Sequence, residues 1–245
     1  NLWTPAEGPG NPVYKNTARR KGVELGGWSY GAQFGDLNND GAQDLYVANG
    51  FISGIKGSSY WYDYTKVTGG NKSIISDARN WPAMEGKSQS GHQQNMIWLN
   101  DGSGNFLDAS KDVCEEATFD SRSVALADLW NRGVLDVIVA SMNQGLLVYK
   151  NQVDTSNQWI AFSLEGTTSN KSAIGASVTL YWNGKKQVQV VTGGIGFCSQ
   201  NQRDIHFGLG QNAEVEKVEI IWPSGHVQVI DNPELGKLNK VIESV

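Results

Sequence analysis

The chain is poor in cysteine and histidine and has no long apolar run, and each scarcity closes off a class of function. Its two cysteines, Cys114 and Cys198, are far apart and lack the close spacing of a zinc or redox motif. They either form one disulfide or stand as lone buried thiols. The three histidines, His92, His206 and His226, are equally scattered, each beside a glycine or at an apparent strand end. None lies in a His-Glu-x-x-His or Gly-x-Ser-x-Gly context, and no nucleophile–base constellation is visible, so no catalytic residue is expected. No apolar run approaches the length of a membrane-spanning helix. No stretch sustains a period of 3.6, so the chain should be mainly β. A net charge of −5 and a pI near 5.2 argue against a nucleic-acid partner.

What the chain does have is glycine and aromatics, with 29 Gly, nine Trp and eight Tyr, a composition suited to tight turns and aromatic-rich strands. Its most informative segment is Asp36-Leu37-Asn38-Asn39-Asp40-Gly41-Ala42-Gln43-Asp44, followed by Leu45-Tyr46-Val47-Ala48. Oxygen side chains recur at positions 1, 3, 5 and 9 of this loop. Gly41 at position 6 permits a left-handed turn, and the Ala42 carbonyl can supply a further oxygen. These are hard ligands of the kind Ca²⁺ prefers, and three crowded carboxylates repel unless a cation neutralises them. Position 12, where an EF-hand carries Glu, is Val47 inside an apolar run. The expectation is therefore a calcium clip between two strands, with Asp36, Asn38, Asp40, Ala42 and Asp44 as ligands.

A second loop, Asp128-Leu129-Trp130-Asn131-Arg132-Gly133-Val134-Leu135-Asp136, keeps positions 1, 6 and 9 but carries Trp130 and Arg132 at positions 3 and 5. Tryptophan offers no oxygen, and the Arg132 guanidinium can take the cation's place between Asp128 and Asp136, so this copy is expected to be metal-free. Val13-Tyr14-Lys15-Asn16 recurs as Val148-Tyr149-Lys150-Asn151, with Ile97-Trp98-Leu99-Asn100 as a looser copy. Asp101-Gly102-Ser103-Gly104-Asn105-Phe106 reads as a hairpin turn into a fourth strand. Strand–clip–strand, strand–turn–strand is the build of a propeller blade.

Phe34-Gly35-Asp36 through Asp44-Leu45-Tyr46 resembles the FG-GAP (VCBS-type) repeat of integrin-like β-propellers, whose blades carry Ca²⁺ clips. Three ordered motifs nearer the C-terminus resemble the ASPIC/UnbV domain: Asn170-Lys171-Ser172-Ala173-Ile174-Gly175-Ala176, His206-Phe207-Gly208-Leu209-Gly210 and Trp222-Pro223-Ser224-Gly225. That domain typically follows FG-GAP repeats in secreted proteins of the cartilage acidic protein-like family. The resemblance implies architecture and calcium, and no common catalytic site.

The fold expected is all-β: a partial β-propeller of FG-GAP-type blades over residues 1–153, then a small ASPIC/UnbV-like β-sandwich over residues 158–245. The polar segment Gln152–Asn157 marks the boundary. Five short strands are expected from Trp159 onward, and Asn183-Gly184 is a strong hairpin signal between two of them. Propellers close with about four to eight blades, so a missing N-terminal segment or further chains should complete the ring and cover its strand edges. With Asn1 in place of Met, the chain is expected to be a processed or partial product.

The segment from Gly50 to Gln94 interrupts the second blade as a long loop. Its Tyr60, Trp61, Tyr62 and Tyr64 either contact a ligand or pin the loop to the propeller's own surface. Calcium favours a secreted, extracellular, periplasmic or cell-surface setting, because cytosolic free Ca²⁺ is too low for most such clips. The function expected is a calcium-binding interaction or assembly module with a protein or glycan partner. The alternatives are a polysaccharide-active enzyme and a structural subunit of a surface assembly.

Overall fold

The computed structural model describes residues 1–5, 13–69, 75–113, 119–142, 144–153 and 156–244. The chain is all-β, and among the described residues it is built from several sheets of which none closes on itself. Strands β1 (Trp3–Pro5) and β2 (Tyr14–Asn16) form a two-stranded antiparallel ribbon. Strands β3 (Ser29–Gly35), β4 (Asp44–Asn49), β7 (Met96–Asn100) and β8 (Phe106–Asp108) form an antiparallel sheet in that order. Strands β9 (Ser121–Ala127), β10 (Asp136–Ser141) and β11 (Leu147–Tyr149) form a three-stranded sheet with β10 at its centre.

Strand β4 is buried along its whole length because it has neighbours on both faces. Side chains alternate across a strand, so Tyr46 and Ala48 point one way and Leu45 and Val47 the other. Tyr46, Ala48 and Ile97 pack on Val124, Leu126, Val137 and Val139 of the three-stranded sheet. Leu45, Val47 and Trp98 pack on Ala18 and Val23, with Leu2 and Phe106 beside them. Each fully buried aliphatic side chain contributes about 1.5–3 kcal/mol. Glycine lets β3 come close to β9: a Cβ on Gly31 would lie 2.7 Å from the Arg122 carbonyl oxygen.

The Gly50–Gln94 segment has structure of its own. It holds β5 (Ile55–Ser59), the helix α1 (Tyr60–Thr68), a 3₁₀ turn (Ala78–Asn80) and β6 (Lys87–Ser88), with β5 and β6 parallel. A nine-residue helix is marginal alone, so packing of its aromatic side supplies what propensity does not. That dependence on packing is why no helical pattern shows in the sequence here.

The remaining strands are β12 (Gln158–Glu165), β13 (Ser177–Trp182), β14 (Lys185–Val190), β15 (Ile205–Gly210), β16 (Val215–Ile221), β17 (Val227–Ile230) and β18 (Leu238–Ile242). They form two sheets, β15-β12-β18 and β14-β13-β16-β17, around one apolar core. Ile160, Phe162, Leu180, Phe207, Val218, Ile220 and Trp222 lie at its centre. Asn183 (φ 47°) and Gly184 (φ 68°) make the two-residue turn between β13 and β14. The alternation places five of these strands; β15 and β18 join them in the structure.

One strand edge expected to attract another chain is met from within. The arm between β14 and β15 runs along β9, where Leu126 donates to Asn201 Oδ1 (2.9 Å) and Gln202 donates back to the Leu126 carbonyl (3.0 Å). Buried Gln33 ties this arm to β9, its amide donating to the Val124 and Ile195 carbonyls (3.1 Å each). Cys198 sits on the arm as an exposed free thiol, not a buried one, and Cys114 lies outside the described residues. Of the boundary segment, residues 154 and 155 also lie outside them. Among the described residues no helix is long and apolar enough to cross a membrane.

A candidate cation loop at the junction of the sheets

The loop between β3 and β4 is shaped by its own carboxylates. Asp36 accepts from the backbone N–H of Asp40 (3.1 Å) and of Gly41 (2.8 Å). Asp44 accepts from Leu37 N–H (2.9 Å) and, across the sheet, from Asn100 N–H (2.8 Å). Gly41 has φ 90°, the left-handed turn its position demands, and Asn39 adopts φ 58°, a conformation asparagine tolerates better than most residues. The Asn100 amide donates to the carbonyl of Gln43 at position 8 (3.0 Å). That bond is the physical reason for an asparagine at the end of the strand.

The loop between β9 and β10 repeats this frame atom for atom. Asp128 accepts from the backbone of Arg132 (2.8 Å) and Gly133 (2.6 Å), and Asp136 accepts from Leu129 N–H (3.1 Å) and Asn151 N–H (2.8 Å). The Asn151 amide donates to the position-8 carbonyl of Leu135 (3.0 Å). The difference is charge. The Arg132 guanidinium bonds Asp136 (2.6 Å) and the Asn151 carbonyl (2.6 Å). The guanidinium meets Asp136 alone of the two aspartates, and Asp128 is bonded instead by the Arg132 backbone N–H, which narrows the pairing expected from the sequence.

The first loop has no such cation. Among the described residues no salt bridge involves Asp36, Asp40 or Asp44. Burial, opposed by the Gly41 N–H and reinforced by repulsion from Asp40 and Asp44, raises Asp36 to about 7. Burial raises Asp44 to about 6, against its two backbone hydrogen bonds and with repulsion from Asp40. The side chains do not converge as a ready cage: among the described residues no three His, Cys, Asp or Glu groups are arranged to hold a metal. The Asn38 amide nitrogen donates to Asp40 (2.9 Å), so its oxygen faces the Asp40 backbone N–H (3.1 Å) instead of the loop centre.

The loop is also a tertiary junction. The buried Asn39 amide donates to the Gly133 carbonyl of the second loop (2.7 Å), and its Oδ1 accepts from His206 Nε2 on β15 (2.7 Å). Since the amide oxygen can only accept, His206 carries its proton on Nε2. Burial holds the imidazole down at about 4, with nearby Asp128 opposing, and it stacks on Trp159 at 5.7 Å between centroids. A cleft of about 300 Å³ runs along this junction, lined by Asp36 and Gln43 on one side and Gln187, Gln189 and His206 on the other.

The four aromatics of the Gly50–Gln94 segment lie in α1 and separate into two roles. Tyr60 is buried and its hydroxyl donates to the Pro82 carbonyl (3.0 Å); Trp61 donates to Ser90 Oγ (2.8 Å) and leans on Trp28 (5.4 Å); Tyr64 meets Trp81 edge-on (5.4 Å). Tyr60 and Tyr64 thus pack the segment on its own Pro82 and Trp81, and Trp61 pins it to Trp28 just before β3. Tyr62 alone is largely exposed, at 67%, with the Lys66 ammonium over its ring.

Three residues of consequence carried little signal. Asn39 sits between the expected ligands, and a left-handed-tolerant residue at position 4 was the available cue. His206 reads as a strand end. Glu243, only 2% exposed, accepts from the backbone of Thr167, Thr168 and Ser169 and from the Ser169 and Ser224 hydroxyls, all within 2.9 Å.

Compared with known proteins, residues 166–245 match the family model "ASPIC and UnbV". Strand β12 shares the same core but precedes that match. Cartilage acidic protein 1 of Homo sapiens is 32% identical over 122 residues, 48% of this chain, and that of Xenopus tropicalis is 31% identical over 123 residues, 49% of this chain. In both cases the match spans 18% of the relative's length. By sequence the chain is thus similar, over about half its length, to one segment of a much longer animal protein, and its last third carries an ASPIC/UnbV domain.

Proposed function

We propose that this chain is a calcium-stabilised extracellular interaction or assembly module that engages a protein or glycan partner without catalysis. In this reading residues 1–153 are propeller-type blades of the FG-GAP class and residues 158–245 a separate sandwich. The observation that carries the calcium part is the pair of loops with one hydrogen-bonded frame and opposite charge balance. Where Arg132 supplies a positive charge in one, the other leaves two buried carboxylates and Asp40 uncompensated. A divalent cation on Asp36, Asn38, Asp40, the Ala42 carbonyl and Asp44 restores the balance with oxygen ligands alone. Binding requires the Asn38 amide to turn its oxygen inward and release Asp40. Each carboxylate oxygen of Asp36 and Asp44 accepts one backbone bond and keeps a lone pair for a metal.

The blade reading is supported by the repeated strand–loop–strand frame, the position-8 asparagine bonds and the face-to-face packing of the two N-terminal sheets. An extracellular setting fits a clip that works at the higher free Ca²⁺ found there. Its likeness to cartilage acidic protein 1 is consistent with that setting. Calorimetric titration of the chelator-treated chain with CaCl₂ tests the reading. One site is expected, abolished by Asp40→Ala; two sites, or no heat, would overturn it.

A further inference from the structure

We infer that the Asp36–Asp44 loop and strand β15 form one two-state element, so that the loop holds its shape only while the C-terminal sheets are seated against it. Three successive loop carbonyls are held from outside the loop. Leu37 O accepts from the Asn151 amide (2.6 Å), Asn38 O from the Asn157 amide (3.0 Å) and Asn39 O from Gly210 N–H (2.9 Å). With the Asn39 carbonyl turned outward to Gly210, the Asp40 N–H of the same peptide unit faces Asp36.

The contact is too close to loosen by degrees. A Cβ on Gly208 would lie 2.1 Å from Asp36 Oδ2 and 2.4 Å from Asn39 Cα, and one on Gly133 would lie 1.9 Å from the Trp159 ring. Trp182, from the other C-terminal sheet, packs 3.3 Å from the Cβ position of Gly41. Asn39 sits at the centre: its side chain joins the second loop to His206 through two buried hydrogen bonds. Close-packed interfaces of this kind have discrete seated and unseated arrangements, not a continuum. It follows from linkage that whatever binds the loop strengthens the seating of β15, and unseating β15 weakens binding at the loop by the same factor.

Native-state hydrogen exchange on the full wild-type chain without metal tests this directly. The amides of Leu37 and Gly41 should share one opening isotherm with those of β15 at low denaturant, distinct from that of β16. Different isotherms for loop and β15 would overturn the inference. Asn39→Gly gives a second arm, since glycine keeps the left-handed backbone and deletes only the bridge. It should speed exchange in the loop and in β15 together and leave β16 unchanged. A rise in one segment alone would overturn the inference. The calcium arm rests on the reading above: Asn39→Gly should bind Ca²⁺ about tenfold more weakly, within the usual range of site-to-site coupling, although it removes no ligand. Absence of heat in the wild type would refute the calcium reading and leave the exchange arms to decide the coupling; unchanged affinity in Asn39→Gly would refute the coupling alone.

Discussion

The two Asp loops present the same backbone problem with different solutions, and their comparison separates what shapes such a loop from what neutralises it. In both, the first and ninth residues are aspartates that accept backbone N–H groups, and the asparagine ending the next-but-one segment of chain reads the carbonyl at position 8. The hydrogen-bond frame common to both loops therefore uses positions 1, 6 and 9, which they share, and the first loop is further seated against β15. Charge follows from positions 3 and 5, which they do not share. A third carboxylate sharpens the point. Burial pushes Glu243 up, but the Ser224 hydroxyl and the backbone of Ser169 and Thr167 outweigh it and hold it at about 2. The chain thus steadies buried carboxylates with an arginine at Asp136 and with surplus donors at Glu243, while Asp36 has neither in sufficient strength.

The largest expected effect comes from breaking the compensated loop. Asp136→Ala leaves a partly buried guanidinium without its partner and two N–H groups unbonded, and should destabilise the chain by about 3–5 kcal/mol. Asp44→Ala loses the equivalent N–H bonds, about 1–3 kcal/mol, but also relieves repulsion in the metal-free chain. Urea unfolding in EDTA should therefore rank Asp136→Ala as the more damaging. Equal losses would mean that Arg132 is not what distinguishes the loops.

A smaller effect is expected from exchanging their charges. Trp130→Asn with Arg132→Asp rebuilds positions 3 and 5 of the second loop and should raise the calcium stoichiometry from one to two by titration. An unchanged stoichiometry would show that oxygen phasing on this frame is insufficient for binding.

The smallest and most local effect concerns pH. Because the folded-state pKa of Glu243 lies below its ordinary value of 4.5, the folded chain holds fewer protons there than the unfolded one. Its contribution is complete above about 4.5 and is lost as pH falls toward about 2. Glu243→Gln should flatten that part of the acid-unfolding profile while leaving stability at lower pH unchanged. A profile of the same slope would place the acid sensitivity elsewhere.

Much of this architecture was legible in the chain because it depends on neighbours in sequence. The phasing of Asp36, Asp40 and Asp44 around Gly41, the Asn183-Gly184 turn and the alternation of Val178, Leu180 and Trp182 in β13 are local patterns with local causes, whereas β17 exposes Val227 and Val229 and turns Gln228 inward. The asparagine-ended strands were visible as a repeat, although their purpose was not. Helix α1 was hidden because its aromatics favour strands and only packing on Trp28 and Trp81 makes them helical. Cys198 fits neither the disulfide nor the buried thiol expected of it, because nothing in its neighbourhood announces that the arm carrying it runs along β9 with that residue outward.

The sequence by itself thus determined the β class, the turns, and the two loops with their opposite charge content, since each is set by residue type at short spacing. Only the tertiary structure decided that the acidic loop faces β15, that Asn39 bridges Gly133 and His206, and that Gly208 admits no side chain. Asn39 and His206 are 167 positions apart, and no local propensity encodes a contact of that range. It exists because two apolar cores, each burying its own strands, leave their polar loops and glycine edges as the surfaces on which they meet.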